Sequence, residues 1–402
     1  MIAVDPRSAL ASTDRFPCFD GLRAMAAMGV LVLHVSLISG YSFRHRGGLA
    51  PYFARGEVGV YLFFLISGYL LYRPFVAARL DHARLPDVRA YARRRALRII
   101  PAYWVALTLL IAVFDTRRRA DISSVGDVVV YYGFLQIYFK STVVGGLQQA
   151  WSLCTEMSFY VFLPLWALLM QRTRRDSEHG DRALSVELVA LGALFAVGLV
   201  TRWLVVRGFT GHVDVDTRLD WLPMNADLFA LGMGLAVVRE WALRRPDPVR
   251  ILEFVGRQPG LCWMLAAVSY WAISTQAGMP RGPGADNPRQ WMVRQLLYAG
   301  TSFFLLLPAV FGRQRDGLIR TLLRARVMVA LGFISYGIYL WHEGVLDIWM
   351  HARDIPPFGS SFGSLVAVTL LGTVAVATAS YVIVERPALA RKSSRRAPAT
   401  AP

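Results

Sequence analysis

Two residues in one apolar run set the chemistry this sequence offers. Arg23 and His34 both lie in "GLRAMAAMGVLVLHVSLISGY", residues 21–41. A charge at the centre of a bilayer costs at least ~2.5–3.5 kcal/mol, so ionisable groups in such a run face one another or water. The two are 11 residues apart. At about 100° per residue they return to within about 20° of one helix face, roughly 16 Å apart along the axis. Arginine keeps its charge and grips phosphate through paired bonds. Histidine titrates near neutral pH and is the commonest general base. Neutral imidazole is also far cheaper to bury than lysine or a carboxylate.

Other candidates extend this pair. "RRRALRIIPAYW" places Arg95 and Arg98 three residues apart on one helix face, where they can bind phosphate or anchor the helix at a membrane edge. "WSLCTEMSFY" carries Glu156 and ends on Tyr160. A carboxylate there can orient the His34 ring and stabilise its protonated form. Cys154 points some 200° away from Glu156 on the same helix, which argues against a thiol nucleophile. Ser67 and Gly68 sit in the aromatic run "VGVYLFFLISGYLLYRPF", where small residues admit a neighbouring helix or a ligand. "GFISYGIYLWH" offers His342 as a substrate contact, and Asp227 is a further acidic candidate. The seven histidines show no H-E-x-x-H spacing, and Cys18, Cys154 and Cys262 form no ligand motif, so no metal is expected.

These residues must be positioned by membrane helices. The 402 residues are 55% hydrophobic, with a mean hydropathy of +0.41, and apolar runs of crossing length recur. Eleven are present: 19–40, 57–78, 97–114, 125–140, 150–170, 184–206, 221–241, 260–278, 291–312, 327–350 and 359–384. The net charge of +17 sits in short loops and reads as membrane orientation, not nucleic-acid binding. If 125–140 does not cross, 27 Lys and Arg fall on the cytoplasmic side and 12 outside; if it crosses, the counts become 15 and 24. The first arrangement obeys the positive-inside rule. The expectation is therefore an all-α integral membrane fold of about ten transmembrane helices, both termini cytoplasmic, with 125–140 interfacial or re-entrant. Arg117, Arg118 and Arg119 are the misfit on the outer face. Residues 1–18 show no cleavable signal and form a cytoplasmic segment. Residues 19–385 form the membrane domain, and 386–402 read as a basic disordered tail. In this arrangement His34, Glu156, Asp227 and His342 share a level in the outer half. Arg23, Arg95, Arg98, Glu385 and Arg386 gather at the inner one.

The chain resembles the acyltransferase family three membrane proteins, which include O-antigen and exopolysaccharide O-acetyltransferases and macrolide acyltransferases. The resemblance runs through "FDGLRAMAAMGVLVLH", "GVYLFFLISGYLL", "RRRALRIIPAYW", "WSLCTEMSFYVFLPL", "ISYGIYLWH" and "VERP" in order. It implies a bacterial plasma-membrane enzyme that moves an acyl group, often acetyl, from cytoplasmic acyl-CoA to a hydroxyl on an outward-facing glycan, glycolipid or small molecule. It also implies His34 and Glu156 as catalytic residues. Arg23, Arg95, Arg98 and Ser67 then hold the CoA carrier, and Asp227, His342 and Tyr160 lie toward the acceptor. Some members carry an added esterase-like domain; here transfer is expected within the membrane domain. His34 either deprotonates the acceptor or takes the acyl group first. A transporter or flippase of an anionic lipid or glycan is the alternative use of the same residues, and a non-catalytic envelope assembly protein is a third.

Overall fold

A computed structural model describes residues 16–45, 47–112, 122, 124–143, 145–173, 180–208, 217–282, 286–312 and 316–391. The cluster 117–119, most of 1–18 and the end of the tail, 392–402, lie outside the described residues. Every regular element described is helical. Lipid cannot hydrogen-bond a backbone, so an apolar run satisfies its own amides by closing into helix. The larger helices are α1 (Pro17–Ile38), α2 (Val58–Leu80), α3 (Val88–Ala112), α4 (Val125–Tyr132), α5 (Trp151–Arg172), α6 (Gly180–Val206), α7 (Ala226–Ala242), α8 (Pro259–Trp271), α9 (Pro288–Val310), α10 (Arg326–Phe333), α11 (Ser335–Ala352) and α12 (Phe362–Ser380). A π-helical turn, Tyr381–Glu385, leads from α12 into α13 (Arg386–Ala390).

Among the described residues, seven helices are long and apolar enough to cross a membrane, built on α1, α2, α5, α6, α7, α9 and α12. The other three expected spans take different forms. Helix α3 has the length, but Arg89, Arg93, Arg94, Arg95 and Arg98 charge its first half. Helix α8 runs only 13 residues before a π-helical turn at Ala272–Gln276. Residues 327–350 break at Ile334 into α10 and α11. Segment 125–140 folds as α4, eight residues long and capped by Ser124, then a 3-10 turn at Gln136–Tyr138. At 1.5 Å per residue α4 spans about 12 Å, well short of a ~30 Å core. It docks on α3, where Tyr103 and Trp104 donate to the carbonyls of Tyr131 and Tyr132 at 2.9 and 3.0 Å.

The centre of the bundle is the pair α2–α7. A side chain at Gly68 would overlap the Phe229 carbonyl, and one at Gly232 would overlap that of Leu65. The two backbones therefore touch, as small residues allow in membrane helix pairs. Phe229 stacks on Phe64 at 4.8 Å and on Phe159 at 4.0 Å, joining α2, α5 and α7. Ser67 is three residues beyond Phe64 and Glu156 three before Phe159, so this stack sets their separation. Helix α1 packs on α2, α10 and α11. Ordered structure also reaches past residue 385: α13 is helical and its Leu389 lines the main cavity. The start of the expected disordered tail is thus part of the bundle.

Candidate active site

Six of the nine expected site residues line one cavity of about 370 Å³: Arg23, Ser67, Arg95, Arg98, Glu156 and Tyr160. Helix α1 supplies Arg23, α2 Ser67, α3 the other arginines, and α5 Glu156 and Tyr160. Arg94 also lines it, so four guanidiniums face one wall carboxylate. Glu385, almost fully buried, approaches Arg98 Nη1 at 3.5 Å. The excess is positive, and Arg23 Nε and Arg95 Nε are buried without a hydrogen-bond partner. Unmet buried donors are costly, and an anion with several acceptor oxygens satisfies them. Beyond the arginines Ser67 Oγ donates to Glu156 Oε1, and Tyr160 lines the same wall. One wall thus joins a cluster of arginines to a hydroxyl–carboxylate pair.

His34 lies outside this cavity's lining. Ser335, Tyr339 and His342 recur at i, i+4 and i+7 on one face of α11. Ser335 and Tyr339 line the cavity, and the Tyr339 ring lies 5.9 Å from His342 and 6.1 Å from Phe63. The Tyr339 hydroxyl is held at 2.7 Å by Ser152 Oγ and by the Gln149 carbonyl. Tyr339 therefore joins the cavity wall to His342, with Phe63 beside it on the wall. His342 Nε2 meets His34 Nδ1 at 2.9 Å, and His34 Nε2 meets Glu343 Oε1 at 2.9 Å. The His34 side chain keeps 27% of its surface exposed against 7% for Glu343. Glu343 also borders a cavity of about 10 Å³ with Asp347 and Gln149, room for about one water. One donor atom from each of His34, His342 and Glu343 lies within 4.8 Å of the others. The short contacts among them are hydrogen bonds that the groups satisfy themselves.

Two sequence expectations change here. The carboxylate on the His34 ring is Glu343, not Glu156, because Glu156 turns toward Ser67. Asp227 is fully buried and accepts two bonds from Gln295 at 2.9 and 2.8 Å. It ties α7 to α9 and does not line the cavity. His342 does join the site, through His34. Cys154 is buried, with its thiol on the Ala150 carbonyl. Sequence reasoning missed Glu343, Arg94 and the wall residue Ser152. The signal for Glu343 was present: a carboxylate beside His342 in an apolar helix is itself a functional pointer.

A family model described as an acyltransferase domain matches residues 16–385. The chain is 23% identical over 386 residues to proteins named O-acetyltransferase OatA from Staphylococcus aureus strains NCTC 8325 / PS 47, COL and MRSA252. The match covers 92% of this chain and 57% of each relative, so the chain spans little more than half of their length. No solved structure matches it.

Proposed function

The chain belongs to the acyltransferase domain family, and from that premise we propose an O-acyltransferase that moves an acyl group, acetyl by preference, from acyl-CoA to a hydroxyl of an envelope glycan, glycolipid or related acceptor. It is a multi-pass bacterial membrane protein. The observation that carries the proposal is the single cavity joining Arg23, Arg94, Arg95 and Arg98 to Ser67, Glu156 and Tyr160. Its unmet arginine donors suit phosphates. The name O-acetyltransferase given to the relatives supports acetyl and a hydroxyl acceptor. We place ten crossings with both termini in the cytoplasm, so the arginines face the compartment that holds acyl-CoA.

When bound, acyl-CoA supplies an activated thioester. Arg95 and Arg98 hold its phosphates at the mouth, with Arg23 one level deeper. His34 removes the acceptor's hydroxyl proton as that oxygen bonds to the acyl carbon. The carbon–sulfur bond breaks, sulfur keeps the electron pair, and the proton passes from His34 to sulfur. Atoms and charge balance without a metal. For the thioester to meet His34, Tyr339 must move, which breaks its hydroxyl's bonds to Ser152 and Gln149.

The test is acetyl transfer by purified protein in liposomes. His34→Ala should insert normally and lose about 100-fold or more in rate, the scale of a general base. Undiminished transfer in that variant overturns the reading. Solute translocation without acyl-CoA consumption points instead to the transporter alternative.

A further inference from the structure

We infer that His342 and Glu343 are positioning residues that clamp the His34 ring from its two nitrogens, fixing Nδ1 as the protonated nitrogen and Nε2 as the working one. This deepens the reading of His34 as the base and rests on it. His342 Nδ1 lies 2.7 Å from the Tyr339 carbonyl and 3.2 Å from that of Ile338. A carbonyl only accepts, so Nδ1 of His342 carries the hydrogen. A neutral imidazole then has its lone pair on Nε2, and that atom faces His34 Nδ1 at 2.9 Å. His34 Nδ1 must be the donor, and the Val30 carbonyl at 3.0 Å requires the same. A carboxylate also only accepts, so the 2.9 Å contact of His34 Nε2 with Glu343 Oε1 needs one shared proton, held on the ring or on the carboxyl, and this is the proton that Nε2 exchanges.

The arrangement follows the logic of a base, an orienting group and a carboxylate. Here one backbone-anchored imidazole sets the tautomer, and the adjacent carboxylate steadies the positive ring that forms when Nε2 takes a proton. Two consecutive residues of α11 do both tasks. Helix α11 begins at the break after α10, so one rigid element places the whole clamp against α1.

Two readouts test the inference. The first needs no activity: the 15N spectrum of histidine-labelled protein in bilayers, with His34 identified by difference from His34→Ala. The expected signature is a protonated Nδ1, retained in His342→Gln, whose amide oxygen can accept the bond, and weakened in His342→Leu, where the Val30 carbonyl alone accepts it. An unprotonated Nδ1 in the native protein overturns the proposal. The second is kinetic. Glu343→Gln should lower kcat by about 100-fold with KM for acyl-CoA within about twofold, and Glu343→Asp should recover most of the loss. An unchanged kcat in Glu343→Gln, or Glu343→Asp as poor as Glu343→Gln, also overturns it. If His34→Ala keeps full activity while the 15N signature holds, the catalytic reading fails and the clamp stands.

Discussion

Arg95 and Arg98, proposed to hold the donor's phosphates, are where binding and chemistry can be separated. Removing either guanidinium strips contacts made equally before and during reaction, which raises KM and leaves kcat unchanged. Arg95→Ala is expected to raise KM for acyl-CoA about 10- to 100-fold, since a charged hydrogen bond is worth roughly 1.5–3 kcal/mol. Arg95→Lys should restore little, because a lysine cannot reproduce the fork. Initial rates across acyl-CoA concentrations decide this; a fall in kcat at constant KM contradicts it. These arginines were legible in sequence because i, i+3 spacing on a helix fixes their common face. Ser67, Glu156 and Tyr160 were legible as polar breaks in apolar runs. The partner of His34 was not, because it depends on how α11 lies against α1. Helix spacing carries no information about which of two carboxylates on different helices arrives.

At the scale of elements, the contact of α2 with α7 fixes the distance between hydroxyl and carboxylate. Gly68→Leu forces a branched side chain into the Phe229 carbonyl, and overpacking of this kind costs about 1–3 kcal/mol. A lower thermal midpoint in detergent, together with lost transfer, is the expected result; native stability argues against the backbone contact. A second tie is charged. Arg79 of α2 pairs with Glu187 of α6, and Tyr72 donates to the same carboxylate. Both charged groups are almost fully buried. Glu187→Leu should destabilise by about 3–5 kcal/mol by orphaning Arg79, whereas Arg79→Met with Glu187→Leu should return most of it. A double variant no better than the single one rejects that account. Sequence period located most of these helices, since apolar length is a strong signal. It merged α10 with α11 and read through the end of α8, because a break needing only one residue, such as Ile334, leaves hydropathy unchanged.

For the whole molecule, orientation is the open quantity. Cys18, Cys154 and Cys262 are all buried, so an added surface thiol can be read against a quiet background. Arg84→Cys, in the exposed turn after α2, should react with an impermeant maleimide only after cells are opened. Arg353→Cys, exposed after α11, should react in intact cells. The reverse pattern inverts the proposed topology. The α2 turn also carries an acid-sensitive tie. Arg244 bonds Asp81 at 2.7 and 2.6 Å and holds its carboxyl below the ordinary value. A carboxyl lowered on folding adds stability above its unfolded pKa and loses it as pH falls through the folded one. The loss therefore begins below about pH 4. This is an exposed pair, so the effect stays under roughly 1 kcal/mol. Asp81→Asn should erase that pH dependence without altering transfer at neutral pH.

Leu389 of α13 forms part of the cavity wall, and Arg93 holds the Arg391 carbonyl at 3.0 Å. A group fused directly after Arg391 would start beside the cavity proposed to take the donor. An affinity handle or reporter attached there without a spacer becomes an awning over that cavity, and one on a long flexible leash does not. Apparent donor affinity measured on tagged protein would then report the handle as much as the enzyme.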